Sequence, residues 1–312
     1  MKLSIVTSLY CSEQYVNKFY QLASDAASQI TDDYELILVN DGSPDRSLDL
    51  AINLSEKDPH VTVLDFSRNF GHHRAFMAGL EYSSGDKIFL IDSDLEEDPL
   101  WLIPFNEKLE KEKCDVVYGV QEKRRGKFFE RWSGFFYYKI FNWLADVKQN
   151  ENCTSARLMT KQFVKSLLLH RERIIIFNGL CSLTGFTQLP FVVTKKATSP
   201  TTYTLSKKIN LAIDSITSFS DKPLKLFFRL GFLISIFSLL YIISLIIQKI
   251  FFNISVDGWT SIIVSLWFLC GIIIMQLGVV GIYIAKVFIE TKARPPYLIK
   301  HIYNKPNKFK DS

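Results

Sequence analysis

The sequence predicts an α/β domain with a mainly parallel, Rossmann-like sheet, followed by a hairpin of two transmembrane helices. Strand and helix patterns alternate through the first 120 residues, and two long apolar runs follow at 230–247 and 259–285. Polar motifs come directly after three of the apolar strands, at the edge of a parallel sheet where ligands bind. We therefore expect a ligand-binding domain that is attached to a membrane.

Five short apolar runs are expected to be buried strands. They are Leu3–Thr7, Leu36–Val39, Val61–Leu64, Ile88–Ile91 and Asp115–Tyr118. Amphipathic helices are expected between and after them, at about 13–29, 46–57, 72–83 and 100–112. Because this alternation is typical of βαβ units, helices should cover both faces of the sheet.

The basic and aromatic segment that follows, at 123–144, has two interpretations. Its large aromatic side chains recur at helical spacing, as Phe128, Trp132, Phe135, Phe136 and Trp143. A helix of this composition can lie in the interface of a membrane. A broad apolar face is equally typical of a helix in a protein core. The membrane runs later in the chain favour the interfacial position.

The two apolar runs are each long enough to cross a hydrocarbon core. Basic residues flank the pair on its outer sides, at Lys222, Lys225 and Arg229 before it and at Lys286 and Lys292 after it. This distribution predicts that both chain ends are cytoplasmic. The alternative is a pair of buried helices in a soluble protein. The expected divisions are a domain at 1–215, a coupling segment at 216–229, membrane helices at 230–290 (about 230–250 and 259–285) and a basic cytoplasmic tail at 291–312.

The composition argues against several classes of protein. The 312 residues include five cysteines, which are scattered and lack CxxC spacing, so neither a disulfide framework nor a zinc site is expected. The N-terminal apolar run is too short for a signal peptide. The net charge of +5 is concentrated in the tail, which suits contact with anionic membrane lipids. Nucleic acid is not an expected partner, because no motif that reads DNA accompanies the basic tail.

An acidic pair, Asp92 and Asp94, follows the apolar run that ends at Ile91. Two residues apart at a strand end, both side chains can point to the same side. Carboxylates and phosphate oxygens are the ligands that Mg²⁺ prefers, so a metal there could join the protein to a nucleotide diphosphate. The alternative is a solvated acidic turn. The next three acids, Glu96, Glu97 and Asp98, are expected to cap the following helix.

Two further polar motifs follow strands two and three. Asp41, in the motif Asn40-Asp41-Gly42-Ser43, can accept hydrogen bonds from a base or ribose, although a tight turn explains the same residues. Arg68 can reach a phosphate, as can the helix start near Gly71. The adjacent histidines at 72 and 73 point in different directions on a helix, so they are not expected to form a metal pair.

Taken together, these motifs resemble family-2 glycosyltransferases of the GT-A fold, and specifically the membrane-anchored polyprenyl-phosphate glycosyltransferases. That group includes bactoprenol glucosyl transferases and dolichol-phosphate mannose synthases. The resemblance is carried by YELILVNDGSPD, LDFSRNFGHHRAFMAGL, GDKIFLIDSDLEEDP, DVVYGV and SITSFSDKPL, followed by the two apolar runs. It covers nearly the whole chain.

The resemblance implies a set of site residues and partners. The partners are a nucleotide-sugar donor, a polyprenyl phosphate acceptor and Mg²⁺ or Mn²⁺, and the sugar is transferred with inversion. Nucleotide binding falls to Ser8, Tyr10, Glu13, Asp41, Arg68, Asp92 and Ser93. The metal falls to Asp92 and Asp94, and the catalytic residues are Asp94 and Arg157. Arg124, Arg125, Arg131 and Arg157 are expected to bind the acceptor phosphate, although a solvated or headgroup-binding basic face explains the first three as well.

The chain departs from the family pattern at three places. The usual opening PxYNE is replaced by SLYCSE at 8–13, and Lys195 and Lys196 stand where an arginine is common. Ser155 stands where an aspartate is often assigned as the catalytic base. A phosphate monoester has a second pKa of about 6 and is already a nucleophile at neutral pH, so it needs no catalytic base. The absence of the aspartate at position 155 therefore favours a phosphate acceptor.

The sequence therefore predicts an inverting glycosyltransferase that uses a nucleotide sugar, expected to be UDP-linked, and undecaprenyl phosphate or a close relative. The expected location is the cytoplasmic membrane of a bacterium, and a homo-oligomer is consistent with the resemblance. A processive polysaccharide synthase is disfavoured, because such enzymes carry a QxxRW motif. The segment that starts at Gln121 reads QEKRR, with Arg125 in place of the tryptophan. A catalytically inactive scaffold that binds sugar nucleotides is the alternative from a different class.

Overall fold

The structure is a computed structural model that describes residues 1–121, 152–173, 175–196, 217, 220–252 and 258–304. The described residues group into two compact units. The first is an α/β unit that comprises the chain up to Lys196 together with residues from Arg294 onward. The second contains the two long apolar helices. The segment 122–151 lies outside the described residues, and with it lie the predicted interfacial helix and Arg124, Arg125 and Arg131.

The α/β unit is built on one eight-stranded sheet with the order β7-β5-β6-β4-β1-β2-β3-β8. The strands are β1 (Leu3–Leu9), β2 (Tyr34–Asn40), β3 (Val61–Phe66), β4 (Lys87–Leu90), β5 (Val116–Gln121), β6 (Cys153–Thr160), β7 (Gln188–Val193) and β8 (Ile299–Tyr303). Strands β1 to β4 run parallel to one another, and β7 runs parallel to β5. Strands β6 and β8 run antiparallel to their neighbours. The prediction of a mainly parallel α/β sheet is confirmed.

Helices cover the sheet as the alternating pattern predicts. The helices of this unit are α1 (Val16–Ser28), α2 (Ser47–Lys57), α3 (His72–Tyr82), α4 (Leu102–Glu112), α5 (Lys161–Leu167) and α6 (Phe177–Leu183). Every residue of β1 is buried, and so is every residue of β3. Large core side chains include Phe19 of α1, Phe89 of β4 and Phe105 of α4. Such continuous burial is typical of strands that are covered on both faces.

Three strands were not predicted, and each lacks the apolar run on which strand prediction depends. Strand β6 carries Ser155 and Arg157 among its apolar residues, and β7 contains Pro190. Proline has no N–H to donate, which confines it to positions such as a sheet edge, and β7 is an edge strand. Strand β8 is a five-residue segment with two basic side chains. These strands are specified by their partners and not by local pattern.

Strand β8 changes the description of the C-terminal segment, which the sequence predicts to be a basic tail. Residues 299–303 instead pair antiparallel with β3 and complete one edge of the sheet. The backbone N–H of Ser67 donates to the Leu298 carbonyl at 2.9 Å, and the Asn304 side chain donates to the Val61 carbonyl at 2.8 Å. The Tyr297 ring stacks on Phe66 at 5.1 Å. The chain therefore returns to the α/β unit after its second apolar helix.

We expect the α/β unit to lose stability when β8 is removed. A chain that ends at residue 296 loses the pairing with β3 and exposes the hydrogen-bonding groups of that strand, at a cost of about 2 kcal/mol or more. A chain that ends at Asn304 keeps β8 and is the matched control. Thermal unfolding of the two proteins, followed by near-UV circular dichroism, measures the difference. Equal melting temperatures would contradict a structural role for β8.

The second unit contains helix α7 (Lys222–Phe252) and helix α8 (Trp259–Thr291), and these helices contain the two predicted spans. Among the described residues, one stretch, Ser265–Thr291, has the length and apolar composition of a membrane span. The Gln276 side chain in α8 donates to the Phe227 carbonyl in α7 at 3.4 Å. Two helices of the right length are thus present, and a hairpin of two spans stays a prediction.

Candidate functional site

The candidate site lies at the carboxyl ends of β1 and β4, which are neighbours in the sheet. Ser93 follows β4, and its hydroxyl donates to the backbone carbonyl of Ser8 in β1 at 2.9 Å. The same hydroxyl lies 3.1 Å from the hydroxyl of Ser12. The backbone N–H of Ser12 in turn donates to the Ser47 hydroxyl at the start of α2. These bonds hold the segment Ser8–Glu13, which follows from the end of β1, against the acidic pair.

Asp92 and Asp94 flank Ser93, and both carboxyls are in environments that disfavour their charge. Burial raises the pKa of Asp92, whose side chain is 20% exposed, and the nearby Asp94 carboxylate raises it further. The Ser155 hydroxyl lowers it by hydrogen bonding. Burial and the charge of Glu96 raise the pKa of Asp94, while a backbone hydrogen bond from Glu96 opposes the shift. Two such carboxylates favour a cationic partner.

Glu97 and the half-buried Lys195 form an ion pair beside the acidic pair. Glu97 is fully buried, and its Oε1 accepts from the Lys195 ammonium at 2.7 Å and from the Ser155 backbone N–H at 2.9 Å. Its Oε2 is buried without a hydrogen-bond partner. Burial opposes the charge on Lys195, but the carboxylates of Glu97, Asp92 and Asp94 outweigh it and raise the lysine pKa.

This geometry corrects part of the capping prediction. Asp98 does act as a cap, since its carboxylate accepts from the Leu100 backbone N–H at 3.1 Å. Glu97 does not cap the helix, because its carboxylate turns into the protein and holds Ser155 and Lys195. The ion pair thus connects two positions at which the chain departs from the family pattern. A carboxylate so deeply buried needs a charged partner to remain ionised.

Asp41 is buried and holds the loop between β3 and α3. Its carboxylate accepts from the Phe70 backbone N–H at 2.7 Å and from the Gly71 N–H at 3.0 Å. The next residue, Gly42, has a φ of 61°, and a Cβ there would lie 2.4 Å from the Asn69 backbone nitrogen. Only glycine fits this turn. The observed contacts give Asp41 a structural part in the site, and its predicted contact with a nucleotide is untested.

Three of the predicted nucleotide-binding residues are open to solvent. Tyr10 is 51% exposed, and Glu13 is exposed beside the start of α2. Arg68 is exposed, and its guanidinium lies 4.2 Å from the centre of the Phe70 ring. All three lie just beyond the ends of β1 and β3. A ligand at the carboxyl edge of the sheet could reach them without displacing protein contacts in the core.

Arg157 is almost completely buried. A residue that binds the acceptor phosphate, as predicted, would be expected to be exposed. Its guanidinium donates to the Asn178 side-chain oxygen at 2.6 Å and to the Cys181 sulfur at 3.0 Å. Two backbone carbonyls accept from it as well, and its Cζ lies 4.8 Å from the centre of the Phe177 ring. The structure therefore places Arg157 in a network that joins β6 to α6.

His72 also belongs to the site, although the sequence assigns it no role beyond a metal pair with His73 that is not expected. Its Nε2 lies 3.2 Å from Asp92 Oδ1, and its Nδ1 lies 2.9 Å from the Ser8 hydroxyl. Desolvation lowers the pKa of His72, and the nearby Lys195 charge lowers it further against the pull of Asp94, so the ring is neutral at pH 7. A motif search for histidine metal pairs misses this residue. Its position at the first turn of α3, after a strand end, is the only sequence signal.

The residues at 92–97 fit a metal ion that a substrate helps to hold. Among the described residues, no three histidine, cysteine, aspartate or glutamate side chains are grouped to bind a metal by themselves. Mg²⁺ is commonly held by one or two carboxylates together with substrate phosphates. Asp92 and Asp94 supply such carboxylates, and the unpartnered Glu97 Oε2 adds negative potential beside them. The donor set is all oxygen, as Mg²⁺ and Mn²⁺ prefer.

Comparison with known proteins identifies relatives along nearly the whole chain. The family described as glycosyl transferase family 2 matches residues 4–168. A Mycobacterium tuberculosis relative described among the glycosyltransferases is 48% identical over 97% of this chain and 89% of its own. The prophage bactoprenol glucosyl transferase homolog of Escherichia coli is 33% identical over 97% of this chain and 99% of its own. Glucosyl-3-phosphoglycerate synthase of M. tuberculosis, solved with Mn²⁺, uridine diphosphate and phosphoglyceric acid, has a TM-score of 0.47 at 20% identity over 69% of this chain and 76% of its own.

Proposed function

The chain belongs to glycosyl transferase family 2, and on that premise we propose that it transfers a sugar from a nucleotide sugar to a polyprenyl phosphate at a membrane. Its α/β unit has the GT-A fold. One observation carries the proposal: Asp92 and Asp94 stand at the carboxyl end of β4, joined through Ser93 to the end of β1. This is the edge of the sheet at which α/β proteins bind nucleotides.

The donor is a nucleoside diphosphate sugar, which we take to be UDP-linked. Ser8, Tyr10 and Glu13 lie at the end of β1, and Tyr10 and Glu13 offer exposed side chains to a nucleotide. Arg68 offers an exposed guanidinium to a phosphate. Asp92 and Asp94 would hold a Mg²⁺ or Mn²⁺ ion, which neutralises charge on the departing diphosphate when bound. The carboxylates of Glu97, Asp92 and Asp94 raise the pKa of Lys195, so the lysine adds a positive charge beside the diphosphate site.

The acceptor class is supported by the relative from E. coli, whose name refers to bactoprenol. In the proposed reaction an oxygen of the lipid phosphate attacks the anomeric carbon of the sugar. The bond from that carbon to the diphosphate breaks, its electron pair leaves with the nucleotide, and the anomeric configuration inverts. The attacking phosphate is dianionic above about pH 6, so no side chain has to remove a proton. Ser155 at the position of the usual aspartate is compatible with this reaction.

The acceptor phosphate needs a cationic site, and we propose Arg124, Arg125 and Arg131 for it. They form a basic segment between β5 and β6, outside the described residues. Arg157 is a weaker candidate than the sequence indicates, since its donors are already engaged by Asn178 and other protein atoms. We assign it the task of holding β6, and with it Ser155, beside the acidic pair.

Membrane attachment is supported by the proposed acceptor and by helix α8, whose stretch Ser265–Thr291 has the length and apolar composition of a membrane span. We propose that α7 and α8 form a hairpin of two spans, with the α/β unit on the cytoplasmic side of a bacterial membrane. The catalytic domain at 1–215 then also takes β8 from the C-terminal segment. Residues 216–229 couple it to the membrane, and the basic residues from Lys292 onward contact anionic lipid. Association into a homo-oligomer is part of this proposal.

The proposal is tested with purified full-length protein in lipid nanodiscs. A panel of radiolabelled nucleotide sugars is supplied with undecaprenyl phosphate, and the lipid products are separated by chromatography. The expected result is transfer from a UDP-sugar to the lipid at neutral pH. NMR of the product should show that the anomeric configuration is inverted. Nucleotide binding without transfer to any polyprenyl phosphate would instead indicate an inactive scaffold.

Ser155→Ala should lower the transfer rate by less than about tenfold, or about 1.4 kcal/mol of barrier. The substitution removes one hydrogen bond to Asp92, while the backbone N–H of Ser155 stays bound to Glu97. The rate of wild type and variant should rise with the second ionisation of the lipid phosphate, near about pH 6, and then level off. Ser28→Ala, at the exposed end of α1, is the control. A loss above about a hundredfold would point to Ser155 as a chemical participant.

A further inference from the structure

We propose that His72 is a positioning residue that fixes the carboxylate of Asp92 for binding of the metal and diphosphate. The inference rests on the proposed function and adds to it a residue outside the predicted site. The imidazole bridges two strand ends: Nε2 meets Asp92 Oδ1 at 3.2 Å after β4, and Nδ1 meets the Ser8 hydroxyl at 2.9 Å in β1. The hydroxyls of Ser12 and Ser93 also join these two strand ends, but His72 is the described side chain that bonds to the Asp92 carboxylate and to Ser8 together.

The hydrogen-bond directions follow from the chemistry of the partners. An ionised carboxylate can only accept, so Nε2 carries the proton and donates to Asp92. The other nitrogen of a neutral imidazole then accepts, and the Ser8 hydroxyl donates to it. One oxygen of Asp92 is thereby held by His72, and the carboxylate is not free to rotate. A ligand carboxylate held by a hydrogen-bond partner is the arrangement that sets orientation at metal sites.

The start of α3, which carries His72, is held by contacts on several sides. The ring centre of His72 lies 3.9 Å from that of Phe76, which is buried in α3. The start of α3 is held from one side by Asp41, which accepts from the Phe70 and Gly71 backbone N–H groups. From the other side, His73 Nδ1 lies 2.9 Å from the Ile175 carbonyl. The backbone that carries the imidazole is thus held in place, although 44% of the side chain is exposed, and its bond to Asp92 orients that carboxylate.

His72→Ala should weaken binding of Mn²⁺ in the presence of UDP by about 10- to 100-fold. Electron paramagnetic resonance counts free Mn²⁺ and needs no acceptor or turnover. His72→Gln places a side-chain amide near the position of Nε2 and should recover most of the loss, whereas His72→Leu fills the volume without a donor and should not. The KM for the donor should rise together with the loss of metal affinity.

The matched control is His60→Gln. His60 also bonds to an aspartate, with 2.7 Å between Nδ1 and Asp58 Oδ1, but it lies just before β3, at the opposite end of the strands. It should leave Mn²⁺ and UDP binding unchanged. Thermal unfolding is measured for every variant, so that a loss of affinity can be separated from a loss of fold.

The outcomes separate this inference from the proposed function. Unchanged Mn²⁺ affinity in His72→Ala overturns the inference. It is also overturned if His72→Gln and His72→Leu lose Mn²⁺ affinity equally and in proportion to their loss of thermal stability. If wild type binds Mn²⁺ with a nucleotide other than UDP, the proposed donor is wrong, and the same comparison is made with that nucleotide. Absence of any metal–nucleotide binding in wild type overturns both.

Discussion

Replacing Asp94 by asparagine is expected to lower sugar transfer by about 10²- to 10³-fold while the α/β unit remains folded. The substitution removes an anionic oxygen from the pair that faces the diphosphate. The asparagine oxygen can still accept the Glu96 backbone N–H that Asp94 accepts at 3.0 Å. Burial and the nearby Glu96 already disfavour the Asp94 charge and raise its pKa, so a neutral side chain should not destabilise the loop. Radiometric transfer and thermal unfolding measure the two effects.

The control for Asp94→Asn is Asp98→Asn in the same loop. Asp98 caps the turn before α4 and pairs with Lys196 at 2.8 Å near the surface, and such exposed pairs contribute little to stability. Its substitution should leave transfer nearly unchanged. Chelation of divalent metal should reproduce the Asp94→Asn loss in the wild type, and Mg²⁺ or Mn²⁺ should restore activity. Full transfer in excess chelator would refute the metal assignment.

Arg157→Ala is expected to destabilise the α/β unit by about 3 kcal/mol, or about 6–12 °C in melting temperature. The substitution removes the donor from the buried Thr154 carbonyl and the half-buried Ser155 carbonyl, and from the more exposed Asn178 side-chain oxygen. It also removes the cation that lies over the Phe177 ring. Transfer should fall in parallel with the folded fraction. Chemical denaturation gives the free energy of unfolding, and transfer is assayed on the same samples.

This prediction separates a buried Arg157 from one that binds the acceptor. If Arg157 bound the lipid phosphate, Arg157→Ala would lower transfer and raise the KM for the lipid without changing the melting temperature. Arg157→Lys keeps the charge with fewer donors, so it should be intermediate in stability. Arg171→Ala, an exposed arginine in the segment between α5 and α6, is the matched surface control and should change neither quantity.

Much of the fold could be predicted because its signals are local. The run at Leu36–Val39 is apolar at every position, and the run at Val61–Leu64 at all but Thr62; such runs are typical of buried parallel strands. The helix at 72–83 follows from its amphipathic pattern and its start after Gly71. In each case the residues that specify the element lie within it. The structure confirms all five predicted strands and the four helices between them to within a few residues.

The missed strands depend on partners that are distant in the chain. Strand β8 pairs with β3 although more than 230 residues separate them. Its five residues contain Lys300 and His301, which suggest a solvated tail when considered alone. Strand β6 runs antiparallel between β4 and β5, so its polar residues Ser155 and Arg157 are accommodated by contacts that no local pattern encodes.

By itself, the sequence determined the family, the α/β sheet and the acidic pair at the end of β4, because each depends on residues that are close together in the chain. Only the tertiary structure decided that His72 bonds to Asp92, that Glu97 pairs with Lys195, and that Arg157 is buried. These contacts join residues 20, 98 and more than 20 positions apart, respectively. Whether a charged side chain faces a ligand or a buried partner depends on what the fold packs against it, and charge and spacing in the sequence are the same in both cases.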